Sequence, residues 1–312
     1  MDRRGRAATA GAAAVALAAA AVAWRALWHE PRHGRIRERE LRLPRWPAEL
    51  DGLRVALISD LHTGAPHVDE ERIERLVAAV NPRAADLVLL LGDFVDPNVR
   101  GGSPVAPEAV ARRLGELHAP LGVLAVLGNH DWRHGGERIP AALRAAGIRV
   151  LENEVADLGR LHVAGVADAR TRDADVARTV RAVPAGAPVL LLSHDPDLFP
   201  HVPDRVALTV SGHTHGGQVA VPVLRRKVIP SRYGERYARG HVVEGGRHLY
   251  VTAGFGTSGW PVRLFAPAEV VILALRPEAA PPRAPGARPR RGPGRSRAAG
   301  RPRSSAPAPR SG

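Results

Sequence analysis

The chain has 312 residues, 45% of them hydrophobic, which is enough for a buried core and for one large domain or two ordinary ones. It contains no cysteine, so disulfides, thiolate metal sites and a cysteine nucleophile are excluded, and any metal must be held by His, Asp, Glu or Asn. The net charge of +14 belongs to the ends: residues 1–45 carry +6 and residues 276–312 carry +9, leaving −1 on residues 46–275, too little for a clustered basic face that would grip duplex nucleic acid.

Ala7 to Trp24 is an uncharged run of 18 residues flanked by Arg3, Arg4, Arg6 and Arg25. That length reaches the lower limit for a helix crossing a bilayer. The run is mostly alanine, and three readings stay open: an uncleaved membrane anchor, a cleavable export signal ending near Ala21-Val22-Ala23, or an alanine-rich soluble helix or disordered arm. Arg3-Arg4 is similar to a twin-arginine export pair, but Gly5-Arg6-Ala7 lacks the apolar residues that usually follow one. Trp24 and Trp28 suit a membrane interface.

In the body, Leu53 to Ser59 is an apolar run of the kind expected for a strand buried on both faces, and it ends at Asp60-Leu61-His62. Val68 to Val80 reads as a helix with Ile73, Leu76, Val77 and Val80 on one face, stopped by Asn81-Pro82. A second buried strand, Asp86 to Leu91, ends at Gly92-Asp93-Phe94-Val95-Asp96, and a helix follows near 106–118. A third, Leu121 to Leu127, ends at Gly128-Asn129-His130-Asp131. Residues 137–147 look helical, short strands follow near 148–151 and 160–166, and another helix lies near 174–183. Pro188 to Ser193 is a strand ending at His194-Asp195, and Val206 to Val210 is one ending at Gly212-His213-Thr214-His215-Gly216-Gly217-Gln218. Beyond it, Val219 to Val223, His248 to Thr252 and Glu269 to Leu275 alternate like antiparallel strands. Residues 276–312 are Pro, Arg, Ala, Gly and Ser without apolar periodicity and read as a disordered tail, either solvated or adhering to anionic lipid or envelope polymer.

Five times an apolar strand ends in residues drawn from Asp, Asn and His. Open α/β sheets place ligands outside the carboxyl ends of their strands, so five such endings point to one convergent metal site. The pair His213 and His215 has the i, i+2 spacing that turns two imidazoles the same way on a strand or extended loop.

In these five blocks, taken in this order across about residues 53–275, the chain resembles the calcineurin-like metallophosphoesterases. The stretch Leu249 to Phe265, together with Gly216-Gly217-Gln218, is similar to the subgroup of small bacterial phosphodiesterases that are membrane-anchored or exported at their N-terminus. The resemblance implies a four-layer α/β/β/α sandwich of two mixed β-sheets flanked by helices, spanning residues 46–275. It also implies two divalent metal ions, Mn, Fe or Zn. Asp60, His62, Asp93 and His215 would hold one ion, and Asp93, Asn129, His194 and His213 the other, with Asp93 bridging. Such a pair lowers the pKa of a bridging water and clamps phosphate oxygens. His130 is then the residue that stabilises or protonates the leaving oxygen, and Asp96 orients and charges its imidazole or merely caps a loop. Asp131, Asp195 and Gln218 are expected behind the ligands, and Arg263 contacts a substrate phosphate or makes a structural salt bridge. The remaining histidines, among them His134, are expected to be ordinary.

The expected activity is hydrolysis of a phosphodiester or phospholipid-type small molecule by a cell-membrane protein, with residues 1–45 as anchor plus basic linker and the catalytic domain outside the cytoplasm, or exported after signal cleavage. A lipid-sugar-nucleotide pyrophosphatase resembling UDP-2,3-diacylglucosamine hydrolases is the alternative enzyme. A tethered, non-catalytic metal-binding scaffold is the alternative of another kind. No specific nucleic acid is expected.

Overall fold

The computed structural model describes residues 3–96, 98–221 and 228–278. In chain order it runs through α1 (Arg3–Trp24), a π-helical turn at Arg25–His29, α2 (Glu30–Arg32), β1 (Arg35–Leu43), β2 (Leu53–Ile58), α3 (Glu70–Val80), β3 (Leu87–Leu90), α4 (Pro107–Leu114), β4 (Val123–Ala125), α5 (Asn129–His134), α6 (Arg138–Ala145) and β5 (Arg149–Val150). Then come β6 (Glu154–Asp157), β7 (His162–Gly165), α7 (Val176–Arg181), β8 (Val189–Leu192), β9 (Leu208–Ser211), β10 (Gly240–Glu244), β11 (Arg247–Val251) and β12 (Glu269–Pro277).

Two six-stranded sheets form, in the orders β1-β12-β2-β3-β4-β5 and β10-β11-β9-β8-β7-β6. Both are mixed: β2 to β5 run parallel beside an antiparallel β12, and β7, β8, β9 and β11 run parallel between antiparallel β6 and β10. Strand alternation sorts the side chains. Leu57, Leu89 and Leu124 of the first sheet meet Leu190, Leu192 and Val210 of the second in one central layer. On the outer face of the first sheet, Ile58, Val88 and Leu90 pack on Ile73, Leu76 and Leu114 of α3 and α4. On the outer face of the second, Ala164, Leu191 and Val251 pack on Val176, Val180 and Phe199. The result is the four-layer α/β/β/α sandwich. Each fully buried Leu or Val in these layers contributes roughly 1.5–3 kcal/mol relative to exposure.

Helix ends follow local chemistry. Asp69 caps α3 by accepting from the Arg72 N–H at 2.8 Å, with Glu70 and Glu71 in the first turn. Pro107 opens α4, where a missing N–H costs nothing.

Three expectations need correction. Residues 35–43, read as linker, are strand β1, parallel to β12 from Arg35–Glu269 to Leu43–Pro277. The Arg/Glu alternation hides it: Leu41 and Leu43 join the central layer, while Glu38 and Glu40 lie outward against Arg54, Arg83 and Arg276. β12 therefore continues past residue 275, Arg276 pairs with Glu40 and Asp51, and residues 279–312 of the supposed tail lie outside the described residues. Finally, the segment after β9 is antiparallel only in part: β11 pairs antiparallel with β10, and β12 with β2. Val219 makes only an isolated bridge to Leu264, residues 222–227 lie outside the described residues, and β11 pairs parallel with β9.

The ledge formed by β1 makes a sharp prediction. Leu43→Ala should lower stability by roughly 2–5 kcal/mol, the range for truncating a buried Leu, read as the urea midpoint of the full chain. An unchanged midpoint would show that β1 is dispensable.

Candidate metal centre

The strands β2, β3 and β4 of one sheet and β8 and β9 of the other end on the same side, where Asp60, Asp93, Asn129, His194 and His213 follow them. The backbone does not continue as extended chain there. Asp60, His62, Asp93, His213 and His215 all have left-handed φ, between 45° and 70°. Non-glycine residues rarely adopt that conformation, and it costs energy that the surrounding fold must offset. This revises the reading of His213 and His215: β9 stops at Ser211, and the two imidazoles are aimed by a turn, not by strand alternation.

Hydrogen bonds hold these turns in place. Asp60 N–H donates to Gly92 O at 2.9 Å and His62 N–H to Asp93 O at 2.9 Å, stitching the β2 and β3 ends together. The Asp131 carboxylate accepts from Asp93 N–H and Phe94 N–H at 2.7 Å and from Gly128 N–H at 2.9 Å, so it fixes the loop that carries Asp93. Asp60 accepts from Ser59 Oγ at 2.6 Å and from His213 N–H at 3.0 Å, joining the two sheets. Only glycine fits at 128 and 212, because a Cβ at Gly128 would strike Asp93 Oδ1 and His194, and one at Gly212 would strike Ser59 Oγ and Asp60 Oδ2.

Two groups of donor atoms result. His215 Nε2 lies 3.1 Å from His62 Nε2 and 3.4 Å from Asp60 Oδ1, and His62 Nε2 lies 3.5 Å from Asp93 Oδ2. On the other side of Asp93, its Oδ2 lies 3.2 Å from His194 Nε2, which lies 3.2 Å from His213 Nδ1. Outer hydrogen bonds orient the imidazoles: His194 Nδ1–H donates to Leu91 O at 2.7 Å and His213 Nε2–H to Pro230 O at 3.1 Å, turning the other nitrogen of each inward. All are buried, and Asn129 Oδ1 is buried without a hydrogen-bond partner.

The charges fit a cation. Burial pushes the Asp60 carboxyl up, with Asp93 adding to it. Burial also opposes ionisation of Asp93, but His194, His62 and His130 hold its carboxyl well below the usual range. Burial and then neighbouring His194 and His62, respectively, lower His213 and His215, keeping both imidazoles neutral and free to donate lone pairs. Donor atoms about 3–3.5 Å apart match the edges of a coordination polyhedron with bonds of about 2.0–2.2 Å. The unpaired Asn129 oxygen and the facing imidazole nitrogens thus suit divalent ions, mixed N and O donors favouring transition metals over Ca²⁺.

At the lip, His130 donates its backbone N–H to Asp93 Oδ1 at 2.8 Å and turns its ring Nδ1 to Asp96 Oδ2 at 3.0 Å. Burial lowers its pKa, but Asp96 and Asp93 outweigh that and raise it above the usual imidazole value. Asp96 serves a second ring as well, lying 3.3 Å from His62 Nδ1, and His134 approaches its other oxygen at 3.7 Å. No sequence motif marked His134, and the stretch Leu249 to Phe265 gave no role to Ser258, whose Oγ lies 3.5 Å from His130 Nε2. A cleft of about 510 Å³ opens over the centre, lined by Asn129, His130, His213, His215, Trp260 and Val262.

Arg263 is not at the cleft surface. It is fully buried, donating from Nε to Gly256 O, from Nη1 to Ala266 O and from Nη2 to Ala253 O at 2.8–2.9 Å, with Nη2 also 3.4 Å from His215 Nδ1. Burial lowers its pKa to about 10, and Asp60 and Glu269 oppose that fall. It closes the 253–266 loop behind His215 and does not face a substrate phosphate. Gln218 clamps the same loop, accepting from Ser258 N–H at 2.9 Å and donating to Trp260 O at 2.9 Å. Asp195 caps the Pro196–His201 turn and pairs with Arg170.

The fold and the two His/Asp clusters sharing a carboxylate define a phosphoric ester hydrolase with a binuclear divalent metal site. The calcineurin-like phosphoesterase profile matches residues 53–217, and the chain belongs to that family. It is similar to a metallophosphoesterase of Aquifex aeolicus, 32% identical over 72% of this chain and 85% of the relative. It is also similar to the UDP-2,3-diacylglucosamine pyrophosphatase LpxG of Chlamydia trachomatis, 28% identical over 82% of this chain and 94% of that protein. Among solved structures, the NAD nucleotidase of Haemophilus influenzae aligns at TM-score 0.41 and 15% identity, covering 65% of this chain and only 45% of that one.

Removing the Arg263 guanidinium strands several buried carbonyls, each worth roughly 1–3 kcal/mol when unpaired. Arg263→Ala should therefore lower the denaturation midpoint and weaken metal retention together. A stable variant that has lost only substrate affinity would restore a phosphate-binding role.

Proposed function

We propose that the protein is a binuclear metal-dependent phosphodiesterase acting at the cell membrane. What carries the reading is the Asp93 carboxylate shared by two donor clusters beneath an open cleft with His130 at its lip. In this reading Asp60, His62, Asp93 and His215 hold one ion, and Asp93, Asn129, His194 and His213 hold the other, the ions being Mn, Fe or Zn. When bound, such ions activate a water nucleophile and neutralise charge on the phosphoryl group.

The chain's own residues do the rest. His130, its Nδ1 set against Asp96 at 3.0 Å, turns Nε2 to the cleft and gives a proton from it to the departing oxygen. Asp96 holds both His130 and His62 in orientation. Val262 and Trp260 give the cleft lining its apolar part, and Arg133 and Arg170 add positive charge to it. Of the two, Arg170 is paired to Asp195 at 2.8 Å, whereas Arg133 is exposed.

A second reading, a lipid-sugar-nucleotide pyrophosphatase, is favoured by the likeness to LpxG over most of both chains. In both readings helix α1 serves as membrane anchor, with the catalytic body outside the cytoplasm. Thr9–Arg32 has mean hydropathy 1.7 and the length to cross a bilayer. Export with cleavage after Ala23 is the alternative. Adhesion of the basic residues 279–312 to anionic lipid or envelope polymer remains part of the proposal.

The test uses the full chain in detergent with Mn²⁺ and bis-p-nitrophenyl phosphate, alongside a UDP-linked lipid. Wild type should bind about two ions per chain, as two-metal phosphatases do. Asp93→Asn should lose metal and activity together, while His130→Ala should keep its metal and lose roughly 10²–10⁴ in kcat. Activity surviving both substitutions would sink the assignment. Faster cleavage of the UDP-linked lipid than of the diester would favour the second reading.

A further inference from the structure

The root of α1 is built into the loop that lines the catalytic cleft. Ala26, just past the apolar run, is buried, and its carbonyl accepts from the Arg263 backbone N–H at 3.0 Å. Arg25 stacks its guanidinium 4.9 Å from the Phe265 ring centre and pairs with the buried Glu30 at 2.7 Å. Pro31 accepts from the buried Arg72. The junction between helix and body is therefore a packed joint and not a free tether.

The same loop carries the cleft wall. Within eight residues, Ser258 faces His130, Trp260 and Val262 line the cleft, Arg263 holds the helix root, and Phe265 sits under Arg25. Trp260 is 58% exposed and Phe265 49%, an unusual cost for two aromatics in one short loop. Leu27 and Trp28 are likewise exposed beside the root, and the cations Arg25, Arg32 and Arg100 each stack on an aromatic ring there. Exposed Trp and Phe with Arg at the end of an apolar helix are the composition of a bilayer interface.

We infer that the Trp260–Phe265 face of the body rests on the headgroup layer of the bilayer that α1 enters, so that the catalytic cleft opens at the membrane surface. This rests on the reading of α1 as an anchor and adds to it. An anchor on a flexible linker would leave the body free to tumble, whereas this joint fixes which face meets lipid. Through Arg263, the loop on the membrane also backs His215.

The absence of cysteine makes the test clean. Single cysteines replace Leu17, Trp260, Phe265 and Asp157 in the full chain, each carrying an environment-sensitive fluorophore, in vesicles of phosphatidylglycerol and phosphatidylcholine. Asp157 is the control, because β7 runs parallel to β8 and the turn joining β6 to β7 therefore lies at the end of the sheet opposite His194. The expected result is a blue shift at Leu17, Trp260 and Phe265, with loss of emission when nitroxide-bearing lipid is added, and neither change at Asp157. Quenching at Leu17 with probes 260 and 265 as solvated as 157 would overturn the inference and leave the anchor standing. No quenching at Leu17 would remove the anchor and the inference with it. Because no outcome depends on turnover, failure here is distinct from failure of the phosphodiesterase reading.

Discussion

One oxygen of the Asp93 carboxylate accepts the His130 backbone N–H, and the other stands 3.5 Å from His62 Nε2 and 3.2 Å from His194 Nε2. A buried carboxylate between two imidazoles is tolerable only if positive charge is shared among them, and each neighbouring element is bent to that end. Asp131 spends its whole carboxylate on the backbone around Asp93, and burial together with Asp93 raises its own pKa to about 7. The left-handed turns at Asp60, His62, Asp93, His213 and His215 persist because two tightly packed sheets hold both ends of every loop.

The layered architecture explains why the site lies where it does. Parallel strands from two sheets deliver their carboxyl ends to one edge, so short loops suffice to bring residues 60, 93, 129, 194 and 213 together. Long-range contacts such as Asp60 to the His213 N–H then tie one sheet to the other. Rigidity of the scaffold and strain of the loops are two sides of one design, since donors held in advance do not need reorganising when an ion arrives.

Much of this was legible in the chain itself. The strands ending in Asp, Asn or His are continuous Leu/Val runs, and such runs have one common meaning: burial on both faces of a sheet. Strand β1 was hidden because most of its residues are Arg and Glu, and only Ile36, Leu41 and Leu43 mark it as structural. The order of the residues could not reveal that the His213–His215 pair rides on a turn, because left-handed φ for a histidine is imposed by tertiary packing and not by local preference. For Arg263 the sequence left a phosphate contact and a structural role open; only the fold shows its guanidinium spent on the buried carbonyls of Ala253, Gly256 and Ala266. Asp96 serving His62 as well as His130 required the fold to bring a second imidazole within reach.

The central claim is that Asp93 bridges two ions. Diffraction at the absorption edge of bound manganese, from crystals of the full chain, tests it most directly. The account predicts two anomalous peaks per molecule on either side of the Asp93 carboxylate, one beside His62 and His215 and the other beside His194 and His213. A single peak, or occupancy only at the Asp96–His130–His134 group, would contradict it.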